Sequence, residues 1–264
     1  MYNAGLFDLS NKVVAISGAS GYLGTIITSY IASKGASLAL FDIPNAKDKL
    51  DQLSKAVYDE FGINTKNYTV NITNENEVKA LANDIFTDFG HIDGLVNIAG
   101  INRHGSLFEH TYDDFMNLLS VNVAGTFNCC KNFAKYMAKQ KNGSIINISS
   151  MNGTVSSLPP KSMIAYDTSK AAIIHMTHTM AGELGCYNIR CNTVSPGILE
   201  KGMSHIKGFQ PAEETYLKKV IDMTPIKRNI KPDELAGAII YLLSDASSAT
   251  TGIDIKIDGG YGVW

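Results

Sequence analysis

The sequence predicts an α/β domain built on one doubly wound parallel sheet of about seven strands, with helices on both faces. Short β-branched runs alternate with helical segments of ten or more residues along the 264-residue chain, and strands joined by such segments run parallel. Glycine and polar clusters stand directly after those runs, beyond the carboxyl ends of the strands, where ligands of such sheets bind. No repeat, low-complexity tract or linker interrupts the chain, so residues 1–264 are expected to form one domain.

The first strand is Lys12 to Ser17 (KVVAIS), followed at once by Gly18-Ala19-Ser20-Gly21-Tyr22-Leu23-Gly24 and a helical pattern up to Gly35. Strand, glycine turn and helix together make a phosphate cradle: the backbone turns tightly, and the free N–H groups at the helix start face a pyrophosphate. The second strand, Ser37 to Phe41, ends at Asp42, eighteen positions after Gly24. A carboxylate there accepts the 2′- and 3′-hydroxyls of an adenosine ribose and repels a 2′-phosphate. Ile43, Pro44 and Asn45 supply no Arg to pair with that phosphate, so NAD is expected over NADP. Lys47, the nearby cation, falls on the exposed side of a helix from Ala46 to Phe61. The plainer role for Asp42 is a helix cap or turn residue.

A third strand, Asn64 to Val70, leads to Asn71-Ile72, and Asn74 caps a helix running through Asp88. Asp93 to Asn97 is the fourth strand, followed by the small residues Ile98-Ala99-Gly100. A helix opening near Thr111 carries Leu118, Val121 and Asn122 and continues through Phe127 towards Met137. Gly143 to Ile148 forms the fifth strand, with Ser149-Ser150 at its end. Asn188 to Val194 is the sixth, broken by Pro196-Gly197, and Ile253 to Ile257 the seventh, closed by Asp258-Gly259-Gly260.

Composition narrows the function classes. The net charge of −2 and the absence of any Lys/Arg run point away from nucleic acid and from anionic membrane surfaces. No apolar run approaches the ~18 residues of a membrane span, and no basic-then-apolar leader opens the chain, so a cytoplasmic location is expected. Cys129, Cys130, Cys186 and Cys191 show neither metal-ligand spacing nor a disulfide framework; they read as small core residues, and no metal is expected.

The helix from Ile164 to Leu184 carries Tyr166 and Lys170, four apart and so on one face. A phenol that exchanges protons near neutrality needs its anion favoured, and a cation one turn away does this; a drop of two to three pKa units corresponds to about 3–4 kcal/mol. With Asn97-Ile98-Ala99-Gly100, Asn122, Ser150, Pro196-Gly197 and Asp258-Gly259-Gly260, the pattern resembles the classical short-chain dehydrogenase/reductase family over the whole chain. The resemblance implies a Rossmann-type fold and a secondary alcohol–ketone interconversion by hydride transfer. It makes Tyr166 the proton-exchanging residue and has Lys170 lower its pKa and hold the nicotinamide ribose. Ser150 would hold the substrate oxygen, and Asn122 would keep Lys170 and a relay water in place. Cofactor contacts implied beyond Gly18, Ser20, Gly21, Tyr22, Leu23, Gly24 and Asp42 are Asn71, Ile72, Asn97, Ala99, Gly100, Pro196, Gly197 and Leu199. A homo-oligomer, tetramer or dimer, is also implied.

Four features depart from that pattern. The spacing Gly18-x-x-Gly21-x-x-Gly24 is that of the extended branch, which holds nucleotide-sugar epimerases and dehydratases. Sixteen positions separate Ser150 from Tyr166, about three more than usual, which enlarges the loop 151–165 and leaves Ser149 as an alternative to Ser150. Asn71 replaces a customary Asp, and Lys201 a customary Thr. The pocket is expected to draw on Asn102, Arg103, His104, Asn152, Lys161, Lys201, His205 and Lys207, suiting a hydroxylated small molecule, neutral or anionic: a sugar, polyol or sugar acid. Steroid and acyl-carrier substrates are the alternatives, as are an epimerase-like enzyme and an NAD(H)-sensing regulator on the same fold.

Overall fold

The computed structural model describes residues 5–158, 162–200 and 211–264. Its sheet contains β1 Val13–Ser17, β2 Ser37–Asp42, β3 Thr65–Thr69, β4 Gly94–Asn97, β5 Gly143–Ile148, β6 Ile189–Pro196 and β7 Asp254–Ile257. Every pairing is parallel, as the alternating pattern predicts, and the order across the sheet is β3-β2-β1-β4-β5-β6-β7. The chain winds outward from β1 to β3, crosses back to β4 and winds the other way. That reversal leaves a crevice beyond the carboxyl ends of β1 and β4.

The period-two alternation of the strands assigns each face its own core. Val14, Ile16, Leu38, Leu40, Val96, Ile146 and Ile148 point to one side. Against them pack α1 (Tyr22–Ala32), α2 (Lys47–Phe61) and α8 (Glu234–Leu243), through Ile27, Ile31, Leu50, Val57, Leu235 and Ile239. Ala15, Ala39, Phe41, Leu95 and Ile145 point to the other side. There they meet α3 (Glu75–Phe89), α5 (Thr126–Gln140) and the end of α6 (Ile164–Leu184), through Val78, Ile85, Cys129, Phe133, Met137 and Ala181. Cys129, Cys130 and Cys191 are buried free thiols, whereas Cys186 is exposed.

Helix starts follow local chemistry. Asn74 Oδ1 accepts from the Asn76 N–H at 3.1 Å, the cap expected from sequence. Thr111 and Asp114 form a reciprocal capping box at the start of α4 (Tyr112–Leu119). The helix expected to run unbroken from Thr111 towards Met137 is divided by a π-helical turn over Ser120–Gly125. Two contacts frame the wider turn: Thr126 Oγ1 donates to the Asn122 carbonyl at 2.7 Å, and Gly125 lies so close to Ile72 that a Cβ would meet its side chain at 2.7 Å. Two helices absent from the sequence reading, α7 (Pro211–Met223) and α8, complete the layers. Among the described residues no helix is long and apolar enough to cross a membrane.

Phe133 is fully buried and stacks on Phe41 with ring centroids 5.8 Å apart. Phe133→Ala is expected to lower unfolding free energy by about 3–5 kcal/mol, read by urea denaturation; a loss under ~1 kcal/mol would mean that this face is not close-packed.

Candidate active site

The turn after β1 is shaped by two close approaches. A Cβ on Gly24 would lie 2.1 Å from the Gly18 carbonyl oxygen, and one on Gly18, itself at φ +65°, would lie 2.8 Å from the Ala99 backbone. Only glycine lets α1 start directly on the turn and lets the turn close on the segment after β4. Gly21 caps α1 with no side-chain hydrogen bond, an arrangement that suits an anion at the helix start. Tyr22 Oη donates to the Glu200 carbonyl at 2.7 Å, joining the turn to the chain beyond β6. A cavity of about 390 Å³ opens here, lined by Gly18, Gly21, Tyr22, Asp42, Asn71 and Ile72 among others, and no described lining residue is cationic. Asp42 is held at its mouth: Oδ2 accepts from the Ser20 hydroxyl at 2.6 Å and the Ser20 N–H at 3.1 Å. Lys47 faces Asp51, one turn along the exposed side of α2.

A second cavity of about 380 Å³ adjoins the first, both being lined by Leu23, Ile98, Gly100 and Ile101. Into it the ends of β5 and β6 and the start of α6 bring Ser149, Ser150, Tyr166, Lys170, Pro196 and Gly197. Lys170 is only 5 % exposed; its Nζ donates to the Ile148 carbonyl at 2.9 Å and lies 5.5 Å from the centre of the Tyr166 ring. Burial lowers its pKa to about 8. The Tyr166 phenol is pushed up by burial; the Ser150 hydroxyl works against that rise, and Asp167 adds to it. Desolvation is the largest of these effects on the phenol.

Ser149 and Ser150 part as the strand pleat requires. Ser149 Oγ is buried and donates to the Lys170 carbonyl at 2.9 Å. Ser150 Oγ accepts from the Asn152 N–H at 3.2 Å, which leaves its own proton to donate towards Tyr166 or a substrate oxygen. Asn122, inside the π turn, accepts from the Ile101 N–H at 2.8 Å and donates to the Ile101 carbonyl at 2.9 Å and to Ser169 Oγ at 3.0 Å. Its side chain therefore fixes the loop after β4 against α6 and makes no hydrogen bond to Lys170.

Other expected residues stand elsewhere. Asn97 is buried and donates to Asn147 Oδ1 at 2.8 Å, so its amide ties β4 to β5 and does not line either cavity. Arg103 pairs with Asp114 at 3.0 Å and is also absent from the lining. Asn102, His104, Asn152 and Leu199 do line the second cavity. Lys161, Lys201, His205 and Lys207 lie outside the described residues. Met163, within the enlarged loop 151–165, also lines the second cavity, and sequence reasoning passed over Tyr216 of α7, which completes the lining, and Asp167. Asp167 accepts from Asn152 Nδ2 at 2.8 Å and from Ser157 N and Oγ at 3.0 and 2.8 Å. Its place directly after Tyr166, in the first turn of α6, is the one sequence signal that marks it.

A family model described as enoyl-(acyl carrier protein) reductase matches residues 18–262. The chain is 38 % identical over 252 residues to 3-oxoacyl-(acyl-carrier-protein) reductase of Thermotoga maritima, covering 96 % of this chain and 98 % of that one. It is 34 % identical over 258 residues to NADP-dependent mannitol dehydrogenase of Hypocrea jecorina, covering 97 % and 94 %. A solved structure of NAD+-bound xylitol dehydrogenase superimposes with a TM-score of 0.88 at 31 % identity, covering 96 % of this chain and 99 % of that one.

Burial of Lys170 sets a pH dependence. Its pKa is about 8 folded and 10.5 when solvated, so the unfolded chain holds more protons between those values and stability rises with pH across that window. Below pH 8 the folded state bears the whole cost of the buried charge, about 3 kcal/mol. Lys170→Met is thus expected to be roughly 1–3 kcal/mol more stable than the parent at pH 7, after the lost hydrogen bond to Ile148, with the gap closing towards pH 10.5. Denaturant titrations at both pH values read this, and a gap that widens with pH contradicts it.

Proposed function

The chain belongs to the short-chain dehydrogenase/reductase family and is an oxidoreductase acting on CH–OH groups, and from that premise we propose that it is an NAD-dependent dehydrogenase of sugar alcohols and related polyols. The single observation that carries the reading is that Asp42 and the Ser150–Tyr166–Lys170 group stand at the two ends of one continuous cleft. The cleft fits a dinucleotide on its own geometry: uncapped helix N–H groups at Gly21, a turn that no Cβ could enter, and a carboxylate where a ribose diol would lie. Gly18, Gly21, Leu23 and Gly24 would hold the pyrophosphate side, Asp42, Asn71 and Ile72 the adenosine side, and Lys170 the nicotinamide ribose.

The cofactor, when bound, supplies hydride acceptance and return. The protein's own residues handle the proton. Tyr166 takes it from the alcohol oxygen, or gives it to a ketone oxygen, at its phenolic oxygen. Ser150 donates to the same substrate oxygen through its hydroxyl proton, its oxygen being oriented by the Asn152 N–H. Lys170 is poised near pH 8 and offers a positive charge beside the phenol as it ionises. Asn122 acts by holding Ile101 and Ser169, which fixes the loop floor under that group.

Mannitol and xylitol dehydrogenases among the relatives support the substrate class. Those relatives divide between NADP and NAD, and Asp42 without a described cation nearby favours NAD here. The intact Tyr166–Lys170 pair weighs against the sensor reading, and the mannitol and xylitol dehydrogenases among the relatives weigh against the epimerase reading. A homo-oligomer and a cytoplasmic setting go with this reading; Tyr112, Met116 and Phe127 leave apolar surface exposed on α4 and α5.

Absorbance at 340 nm with NAD or NADP and a panel of polyols, sugars, sugar acids and hydroxysteroids tests the proposal. Turnover with a polyol is expected, falling about 10²–10⁴-fold in Tyr166→Phe; equal rates in that variant would overturn the assignment of the proton donor. Asp42→Ala is expected to shift the NAD/NADP ratio of kcat/KM by about tenfold or more towards NADP, through lost ribose contacts and lost repulsion of the phosphate. An unchanged ratio would remove Asp42 from cofactor choice.

A further inference from the structure

Asn152 stands in the wall of the reaction-side cavity, two residues after Ser150, and is nearly fully buried. Its amide nitrogen donates to Asp167 Oδ1 at 2.8 Å. A carboxylate has no hydrogen to give, so the amide cannot be turned the other way without setting oxygen against oxygen. Asp167 is itself held fast, because its second oxygen accepts both the N–H and the hydroxyl of Ser157, and Ser157 Oγ in turn accepts from Met163 N at 3.0 Å. The carboxylate therefore ties Asn152 and Ser157 to the start of α6. The carbonyl oxygen of Asn152 receives no hydrogen bond from any described residue. Ser150 and Asn152 are also coupled through the backbone, the Asn152 N–H being the group that leaves the Ser150 hydroxyl free to donate.

We propose that Asn152 is a specificity-determining residue, oriented by Asp167 so that its Oδ1 accepts a hydrogen bond from a hydroxyl on the carbon next to the reacting one. The inference rests on the dehydrogenase reading and deepens it: the favoured substrates are vicinal diols and their α-hydroxyketones. Ser150 presents a donor to the oxygen that becomes a carbonyl, and Asn152 presents an acceptor to its neighbour. A monohydric alcohol leaves that acceptor unpaired in a closed site, and an ether at the same position meets it oxygen to oxygen. Asp167 is a positioning residue, acting only through the amide it orients.

The test compares kcat/KM for butane-2,3-diol, butan-2-ol and 3-methoxybutan-2-ol with NAD. The parent enzyme is expected to favour the diol over both others by about 10–100-fold. In Asn152→Leu that ratio is expected to fall at least about tenfold, and in Asp167→Asn by several-fold in the same direction. A ratio measured on one preparation does not depend on how much of it is folded, and the comparison in the parent enzyme needs no variant. Equal use of diol and ether by the parent overturns the proposal. So does an unchanged ratio in Asn152→Leu, or no turnover of the diol by an enzyme that oxidises longer polyols. Absence of turnover with any alcohol and either nucleotide instead overturns the underlying dehydrogenase reading.

Discussion

The site depends on a close approach of backbone to backbone: the turn after β1 folds onto the segment after β4 with no room for a side chain at Gly18 or Gly24. This contact lies where the winding of the sheet reverses, so it brings together two strand ends that are neighbours in space and about eighty residues apart in sequence. Larger residues there would push α1 off the turn and separate the helix N–H groups from the crevice they face. The cleft, the ribose carboxylate at β2 and the reacting group beyond β5 all take their positions from that reversal.

At the reaction end the protein accepts instability for chemistry. An ammonium 5 % exposed, held by one carbonyl and no described carboxylate, is costly for the fold, and its lowered pKa is the measure of that cost. The neighbouring phenol is pushed the other way by the same burial. Each group is therefore displaced towards its neutral form, and a proton passing between substrate and phenol moves within a site where charge is already disfavoured. That is the setting in which a nearby positive charge has its greatest effect on a developing phenolate.

Around this pair, polar side chains act mainly as struts. Asn122 joins the loop after β4 to α6, Asn97 joins β4 to β5, and Asp167 joins α6 to the segment after β5. Each of these residues is polar and lies near the cleft, so each looks like a ligand contact in one dimension. None of the three lines the reaction-side cavity, whereas Ser150, Tyr166, Lys170 and Asn152 do.

The sequence by itself determined the parallel sheet, its seven strands, the glycine turn, the caps at Asn74 and the co-location of Asp42, Ser150, Tyr166 and Lys170. These follow from period, turn chemistry and strand ends, which are local or depend only on chain order. The tertiary structure alone decided which serine faces Tyr166, that Arg103 belongs to Asp114, that Asn97 belongs to Asn147 fifty positions away, and that burial pushes the Tyr166 phenol up. It also decided the π turn around Asn122, where Gly125 packs closely against Ile72, and the place of Tyr216 in the wall. A side chain's partner and its desolvation depend on residues that packing brings close, and no pattern along the chain encodes that proximity.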